Sequence, residues 1–319
     1  MTLSPELLAS NLLSPVVLAF ALGIVARALR SDLAIPPAIQ TYLSIFLLLA
    51  IGLKGGVALR TTSFGDVALL LGVTLVAGLV TCASAYALAR VWLRDGRLDA
   101  GAIAAHFGSV SAVTFIAAQQ FGERSGQAPE GILVALVVAL EIPAILLGLT
   151  LAKREGGLPW HSVREVLVGK TALLLIGGMA IGAIATKEGT AAVNLMYGQL
   201  FQGMLMLFML DMGMVAAAQL RGLRRGAFRL AAYGIALPLA HGLLGTALGH
   251  WAGLSPAGAA VFGTMTASAS YIAAPASVRA SLPEANVGRC ITAALGITFP
   301  FNLAIGIPVY FAFAAWLAA

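Results

Sequence analysis

GSVSAVTF at residues 108–115 and SASYIAAP at residues 268–275 each interrupt a long apolar segment of this sequence. Both stretches are rich in small, hydroxylic and β-branched residues, which have poor helix propensity. Pro275 also removes a backbone hydrogen-bond donor. The composition therefore predicts a break in a membrane helix at each place. The alternative interpretation is that Ser, Thr and Ala only allow close packing between membrane helices here.

The surrounding chain is far more apolar than a soluble protein. Of its 319 residues, 60% are hydrophobic and 10% are charged, and the mean hydropathy is +0.95, whereas a soluble domain is roughly 25% charged. Apolar stretches of about 18 residues or more, long enough to cross a bilayer as a helix, recur along the chain. We therefore expect an all-α integral membrane protein without a sizeable soluble domain. The first residues lack the basic region of a cleaved signal peptide, so the first apolar stretch is expected to remain as a span.

Helix-breaking and charged residues divide the chain into ten predicted transmembrane helices. The predicted spans lie at about residues 12–29, 36–58, 66–89, 99–121, 131–152, 168–186, 194–219, 230–253, 256–278 and 287–317.

The basic residues set the predicted orientation, because short cytoplasmic loops carry an excess of Lys and Arg. Of the 19 Lys and Arg residues, all but Lys54, Arg60, Arg124 and Lys187 lie in or beside the odd-numbered loops. The odd loops are therefore predicted to be cytoplasmic and both termini external. This distribution explains the net charge of +6 without nucleic acid as a partner. The basic patch at residues 221–229 also suits anionic lipid or an acidic protein.

An internal repeat appears when the sequence is shifted by about 156 to 161 residues. The segments that match are IGLKGGVALR at 51–60 with MGMVAAAQLR at 212–221, FIAA at 115–118 with YIAA at 271–274, and EIP at 141–143 with TFP at 298–300. Because five helices per repeat is an odd number, the second copy must enter the membrane from the opposite face. We therefore expect two inverted repeats, residues 1–152 with spans 1–5 and residues 153–319 with spans 6–10.

Inverted repeats are typical of secondary transporters, whose substrate and ion sites lie near the membrane midplane where discontinuous helices meet. A broken helix exposes free N–H groups at one half-helix start, which favour an anion. The carbonyl groups at the opposing end favour a cation. Since the breaks in spans four and nine occupy corresponding places in the two repeats, they form the predicted site.

Glu141 lies deep in span five, where an ionisable side chain indicates function. Its repeat equivalent is Thr298, followed by Asn302, so span ten offers neutral oxygen atoms where span five offers charge. Carboxylate, hydroxyl and amide oxygens suit sodium, a hard cation, and these three residues are candidate sodium ligands. Glu141 is interpreted as a sodium or proton site, with a neutral or paired structural acid as the alternative. Asp211 in span seven is a candidate for gating, and His106 is expected to be structural.

Motifs of several enzyme classes do not occur in the sequence. It contains no HExxH, Walker loop or GxSxG pattern. We therefore do not expect an enzyme, and energy for transport would come from an ion gradient.

Five strings of this sequence resemble the sodium-dependent bicarbonate transporter family known from cyanobacteria: LSPVVLAFALG, IPPAIQTYLSIFLLLAIGLKGG, GSVSAVTF, EIPA and VRASLPEANVGRCITAALGITFPFNL. The resemblance covers nearly the whole chain. It implies the fold of the sodium/proton antiporter and bile-acid symporter superfamily, in which a core domain of spans 3–5 and 8–10 moves against a gate domain of spans 1, 2, 6 and 7. It also implies a homotrimer and a PII-like cytoplasmic regulator.

The same resemblance implies the residues of the site. The implied bicarbonate site is where span four meets span nine, at Ser109, Ser111, Ala112, Val113, Thr114, Phe115, Ser268, Ala269, Ser270 and Tyr271. The implied sodium ligands are Thr114, Glu141, Ser270 and Thr298. The family pattern in span four reads closer to G-x-V-S-G-S-T, so Ala112 and Val113 replace a glycine and a serine, and Tyr271 stands where the family has an aspartate. These departures leave another small carboxylate open as the substrate.

The leading hypothesis is a sodium-coupled secondary transporter that imports a small monoanion, bicarbonate first, by alternating access across a bacterial inner membrane. The alternatives within transport are a sodium symporter of another small carboxylate and a sodium/proton exchanger. From a different class, a membrane sensor or scaffold would dock a partner on its basic cytoplasmic loops and would tolerate substitutions in both broken segments.

Overall fold

The structure, a computed structural model, describes residues 12–60, 64–153, 160–221 and 227–319, and all regular structure within them is helical. The helices are α1 Pro15–Ala28, α2 Pro37–Leu59, α3 Phe64–Leu88, α4 Arg97–Gly108, α5 Ala112–Arg124, α6 Leu133–Ala152, α7 Trp160–Leu167, α8 Lys170–Ile184, α9 Lys187–Asn194, α10 Phe201–Arg221, α11 Ala227–Trp251, α12 Pro256–Thr266, α13 Ala273–Ser281 and α14 Val287–Leu317. Turns of π-helix extend α3, join α9 to α10 and interrupt α14.

The prediction of an all-α chain with apolar helices that can cross a membrane is confirmed. In the part of the chain that the structure describes, 7 helices are long and apolar enough to cross a bilayer, with α4 and α5 counted as one. The pair α7 and α8, bent by 49°, adds one more if it is counted as a single span. Helix α1 has only 14 residues, and α12 and α13 are each shorter still. The count of ten spans in two inverted repeats therefore stays a prediction.

Two helix boundaries differ from the predicted ones. A separate amphipathic helix, α7, precedes span six, and its buried residues Ser162 and Val166 lie one turn apart on the same face. The helix of span seven begins at Lys187 instead of residue 194, because Thr186 caps its first turn by accepting a hydrogen bond from Gly189 N at 3.0 Å.

Two helix pairs pack backbone against backbone, α2 against α8 and α1 against α10. An added Cβ at Gly182 of α8 would meet the carbonyl oxygen of Leu53 in α2, and one at Gly23 of α1 would meet that of Leu210 in α10. Small residues permit such close approach between membrane helices. Because α2 also contacts α10, these four helices form one group.

The remaining long helices pack mainly with one another. Helices α3, α4 and α6 contact each other in one cluster, and α11, α12 and α14 contact each other in a second. The clusters meet where α3 contacts α11 and α6 contacts α12, and α5 packs on α12. The 18-residue apolar window of α4 and α5 is entirely buried. Between the two groups, α6 contacts α8 and α2, and a π-helical turn of α14 contacts α10.

Both predicted helix breaks are present, and both lie among the buried helices outside the group of α1, α2, α8 and α10. Helix α4 ends at Gly108 and α5 begins at Ala112, with extended backbone at Ser109 and Ser111 between them. Helix α12 ends at Thr266, and α13 begins at Ala273 after six residues outside a helix. The sequence prediction of broken helices at these positions is confirmed.

Candidate functional site

The two breaks are hydrogen-bonded to each other. Ser111 N donates to Ser268 Oγ at 2.8 Å, and Ser270 N donates to the carbonyl oxygen of His106 at 2.8 Å. Breaking a buried helix leaves backbone N–H groups without their usual acceptors. Here each break supplies an acceptor for the other, so the two segments are held together at a crossing.

A serine hydroxyl caps each of the two half-helices that begin at the crossing. Ser111 Oγ accepts a hydrogen bond from Thr114 N at 3.2 Å, and Ser270 Oγ accepts one from Ala274 N at 3.2 Å. The positive ends of the α5 and α13 dipoles therefore lie at the same place. Two converging helix starts with hydroxyls at their tips favour a small anion.

A small cavity lies at these two helix starts. Its lining residues come from both breaks, from α6 and from α8: Val110, Ser111, Ala112, Glu141, Thr171, Ser270, Tyr271, Ile272 and Ala273. The cavity volume is about 10 Å³, which is roughly the space of one water-sized sphere. In this conformation the crossing is therefore closed around a volume smaller than a carboxylate or bicarbonate ion.

Glu141 brings the only acidic side chain to the lining of the small cavity. It is 4% exposed and makes no hydrogen bond or ion pair with any residue that the structure describes. A buried carboxylate needs a cation or a proton to offset its desolvation. The hydroxyls of Ser111, Ser270 and Thr171 on the same lining are oxygen donors that suit a hard cation beside it.

A second cavity of about 350 Å³ continues from Glu141 toward one end of the molecule. It passes between α6, α8 and α13 and reaches Glu165 and Lys170. Glu165 lies between predicted spans five and six, and Lys170 lies at the start of predicted span six, on the side that the Lys and Arg distribution predicts to be cytoplasmic. We refer to this cavity as the vestibule.

Thr171 is a site residue that the sequence did not reveal. Its side chain is 5% exposed and lines both the small cavity and the vestibule, although it belongs to span six rather than to either break. In the sequence, Thr171 stands out only as a hydroxyl residue that follows Lys170 at the start of an apolar stretch.

The structure does not bring every predicted site residue to the cavity lining. Ser109, Val113, Thr114, Phe115, Ser268 and Ala269 are buried around the crossing but are not among the lining residues. Their packing holds the two breaks in place.

Thr298 and Asn302 of α14 make hydrogen bonds to neighbouring helices. Thr298 Oγ1 donates to the carbonyl oxygen of Gly234 at 2.7 Å, and Asn302 Nδ2 donates to that of Ala267 at 2.9 Å. Tyr310 Oη donates to Asn302 Oδ1 at 3.3 Å. Asn302 therefore supports the backbone at the end of α12, next to the second break.

Tyr271 links the crossing to the other helix group. Its ring meets Phe299 edge-on, with centroids 5.5 Å apart, and Phe299 meets Phe20 of α1 in the same way at 5.2 Å. Aromatic pairs at these distances are favourable. A movement between the two groups would therefore displace the Tyr271 ring.

Other intramembrane polar residues have partners of their own. Asp211 accepts a hydrogen bond from Gln40 Nε2 at 2.8 Å, and His106 Nδ1 lies 2.7 Å from the carbonyl oxygen of Ala102. The ammonium of Lys54 lies 4.3 Å from the ring centroid of Phe201, in a cation–π contact. None of the three residues lines the small cavity at the crossing.

A search of curated protein sequences gives no significant match. The family model for the Na+-dependent bicarbonate transporter superfamily matches residues 15–315, which include every helix from α1 to the last turns of α14. Both breaks, Glu141 and Thr171 lie inside the matched range. The chain belongs to the Na+-dependent bicarbonate transporter superfamily, a family of membrane transporters and not of enzymes.

Proposed function

We propose that this protein is a sodium-coupled symporter that imports a small monoanion, bicarbonate first, by alternating access. The observation that carries the proposal is the meeting of two half-helix starts beside the buried Glu141 carboxylate. An anion fits the helix starts and a sodium ion fits the carboxylate and hydroxyl oxygens.

Coupling follows from placing the two ions next to each other. Glu141 is buried and lies on the same small lining as Ser111 and Ser270. Without sodium, the negative charge of Glu141 would repel an incoming anion, and this repulsion is strong in a medium of low dielectric constant. Sodium bound at Glu141 removes that repulsion, so each ion is expected to bind better in the presence of the other.

The packing of the helices supports alternating access. Helices α1, α2, α8 and α10 correspond to the proposed gate, and the helices that hold the crossing correspond to the proposed core. Glu141 comes from the core and Thr171 from the gate, so the cavities lie along the boundary between them. The vestibule gives Glu141 a path toward the predicted cytoplasmic side, which corresponds to an inward-facing conformation.

We also propose a membrane location, an orientation, an oligomeric state and a regulatory partner. We expect a multi-pass protein of a bacterial inner membrane, with both termini external, on the basis of its Lys and Arg distribution. The homotrimer and the PII-like cytoplasmic regulator follow from the family resemblance alone. A mass measurement of the detergent-solubilised protein tests the homotrimer and should give the mass of three copies.

The test is an uptake screen with the purified protein in liposomes. With an inward sodium gradient we expect uptake of labelled bicarbonate, and unlabelled bicarbonate should compete better than formate, acetate or nitrate. If acetate or formate competes best, the substrate is another small carboxylate. Sodium-driven changes in internal pH without anion flux would instead indicate a sodium/proton exchanger, and no flux of any kind would indicate a sensor or scaffold.

A further inference from the structure

The start of α8 forms one wall of the vestibule. Gly169, Lys170, Thr171 and Ala172 all line this cavity. The first intrahelical hydrogen bond is donated by Leu173 N to Gly169 O at 2.9 Å, and no side chain caps the helix start. The N–H groups of the three residues before Leu173 therefore precede the hydrogen-bonded turns. They lie at the positive end of a helix of 15 residues.

Thr171 provides an independent indication of a ligand at this helix start. Its side chain is 5% exposed, lines the vestibule, and makes no hydrogen bond with any described residue. A polar side chain in a buried position nearly always has a hydrogen-bond partner, and a partner for Thr171 would have to come from the cavity that it lines. A hydroxyl that faces a cavity from beside free N–H groups is suited to donate to an anion.

Charged residues of both signs line the vestibule. Lys170 is exposed and stands at the helix start, whereas Glu141 is buried and also lines the small cavity at the crossing. Glu165 lies on the same lining, and its carboxylate disfavours an anion nearby. An anion is therefore expected at the α8 start, next to Lys170 and Thr171, while sodium remains at Glu141. The vestibule volume of about 350 Å³ falls in the range of small-molecule sites, about 300–1,000 Å³.

We propose that the start of α8, with Lys170 and Thr171, is a second site for the transported monoanion, which receives it from the crossing before release into the cytoplasm. The ligand is a bicarbonate or small carboxylate ion bound by backbone N–H groups, one hydroxyl and one ammonium. This exit site rests on the proposed function, because it has a role only if the protein moves an anion across the membrane.

The test compares the anion affinity from the two sides of the membrane. Lys170→Gln removes the charge at nearly constant length, and Thr171→Val removes the hydroxyl at nearly constant shape. In vesicles of known orientation, each variant should raise the half-saturating bicarbonate concentration on the cytoplasmic side by about three- to tenfold, the loss expected for one hydrogen bond. In Lys170→Gln the value on the external side should stay that of the wild type, because Lys170 lines the vestibule but not the small cavity at the crossing.

Two further variants serve as controls. Thr171→Ser keeps the hydroxyl and should retain the cytoplasmic value of the wild type. Lys187→Gln removes an exposed lysine at the first position of another helix, α9, whose start is already capped by Thr186. It should change neither value. Thermal unfolding of each variant separates a folding defect from a binding defect, and Lys170→Gln alters only an exposed side chain.

Each result decides the proposal. Wild-type cytoplasmic affinity in both Lys170→Gln and Thr171→Val, with sodium-dependent flux intact, overturns the exit site alone. An equal rise of the half-saturating concentration on both sides in Lys170→Gln also overturns it, because Lys170 would then act on the crossing and not at an exit site. Absence of anion flux in the wild-type protein overturns the proposed function and the exit site together.

Discussion

At the scale of single residues, Glu141 and Asp211 show how similar carboxylates acquire different roles. Asp211 has Gln40 as a hydrogen-bond partner. Glu141 is buried on the cavity lining and has no partner among the described residues. Of the two carboxylates, Glu141 is the one on the lining of the small cavity, where a transported cation can balance its charge.

Replacing Glu141 tests this role directly. Glu141→Gln keeps the size of the side chain but removes its charge, so we expect the half-saturating sodium concentration for uptake to rise at least about tenfold, equivalent to about 1.4 kcal/mol. Glu188→Gln, which changes an exposed residue of α9, is the matched control and should leave this concentration unchanged. An unaltered sodium dependence in Glu141→Gln would show that Glu141 is a structural acid.

The sequence identifies Glu141 as a candidate site residue but does not identify Thr171, and the reason is physical. Glu141 could be identified because a charge in an apolar segment is costly and therefore conspicuous. Thr171 could not, because a threonine is common in membrane helices and only the placement of α6 and α13 around the cavity at the start of α8 makes it a cavity residue.

At the scale of helices, the crossing depends on hydrogen bonds between the two breaks. Ser268 Oγ accepts from Ser111 N and also donates to the carbonyl oxygen of Met265 at 2.7 Å. One hydroxyl therefore satisfies backbone groups of both broken helices. The position of the two half-helix starts relative to each other follows from this contact.

Removing that hydroxyl should loosen the crossing. Ser268→Ala leaves the buried Ser111 N–H without an acceptor, so the free energy of unfolding should fall by about 1–3 kcal/mol. Thermal unfolding in detergent measures the change. Ser277→Ala is the control, because the Ser277 hydroxyl makes only a long bond of 3.4 Å to Ala273 O within its own helix. Equal stability of the two variants would contradict the role given to Ser268.

The packing of α8 on α2 gives a second prediction at this scale. In Gly182→Ala the new Cβ would meet the carbonyl oxygen of Leu53, whereas at Gly177 nothing lies within 4 Å. Gly182→Ala should lower the free energy of unfolding by about 1–3 kcal/mol through overpacking. Gly177→Ala should leave it unchanged or raise it by about 0.5–1 kcal/mol. A stable Gly182→Ala variant would show that the two helices are not in close contact.

Helix breaks could be predicted because local composition opposes a helix at both places. The amphipathic α7 could not, since eight residues beside a charged link give no length signal. The turns of π-helix in α14 have no signature in a single sequence either. Helices of the second group occupy the positions predicted for them because hydropathy and charge define each span.

At the scale of the whole molecule, the two cavities define the conformation. The vestibule leads from Glu141 toward the loop between spans five and six, and the crossing itself is closed to a volume of about 10 Å³. The sequence predicted the orientation through its basic residues. It could not predict which side of the site is open, because that depends on how the two helix groups are placed.

Cysteine labelling tests this conformation. Ala276 lines the vestibule, and Ala191 lies in a groove between α2 and α9 at the opposite predicted side. The native Cys82 and Cys290 are buried, so their background labelling should be low. A membrane-impermeant thiol reagent should modify Ala276→Cys from the cytoplasmic side only and Ala191→Cys from the external side only. Labelling of Ala276→Cys from outside would reverse the proposed orientation.

The central claim is that a sodium gradient drives an anion through the crossing. The most direct measurement is the concentration of labelled bicarbonate that the wild-type protein accumulates inside liposomes with an inward sodium gradient. We predict accumulation above the external concentration and its collapse when a sodium ionophore removes the gradient. Equilibration without accumulation, unaffected by the ionophore, would contradict sodium coupling.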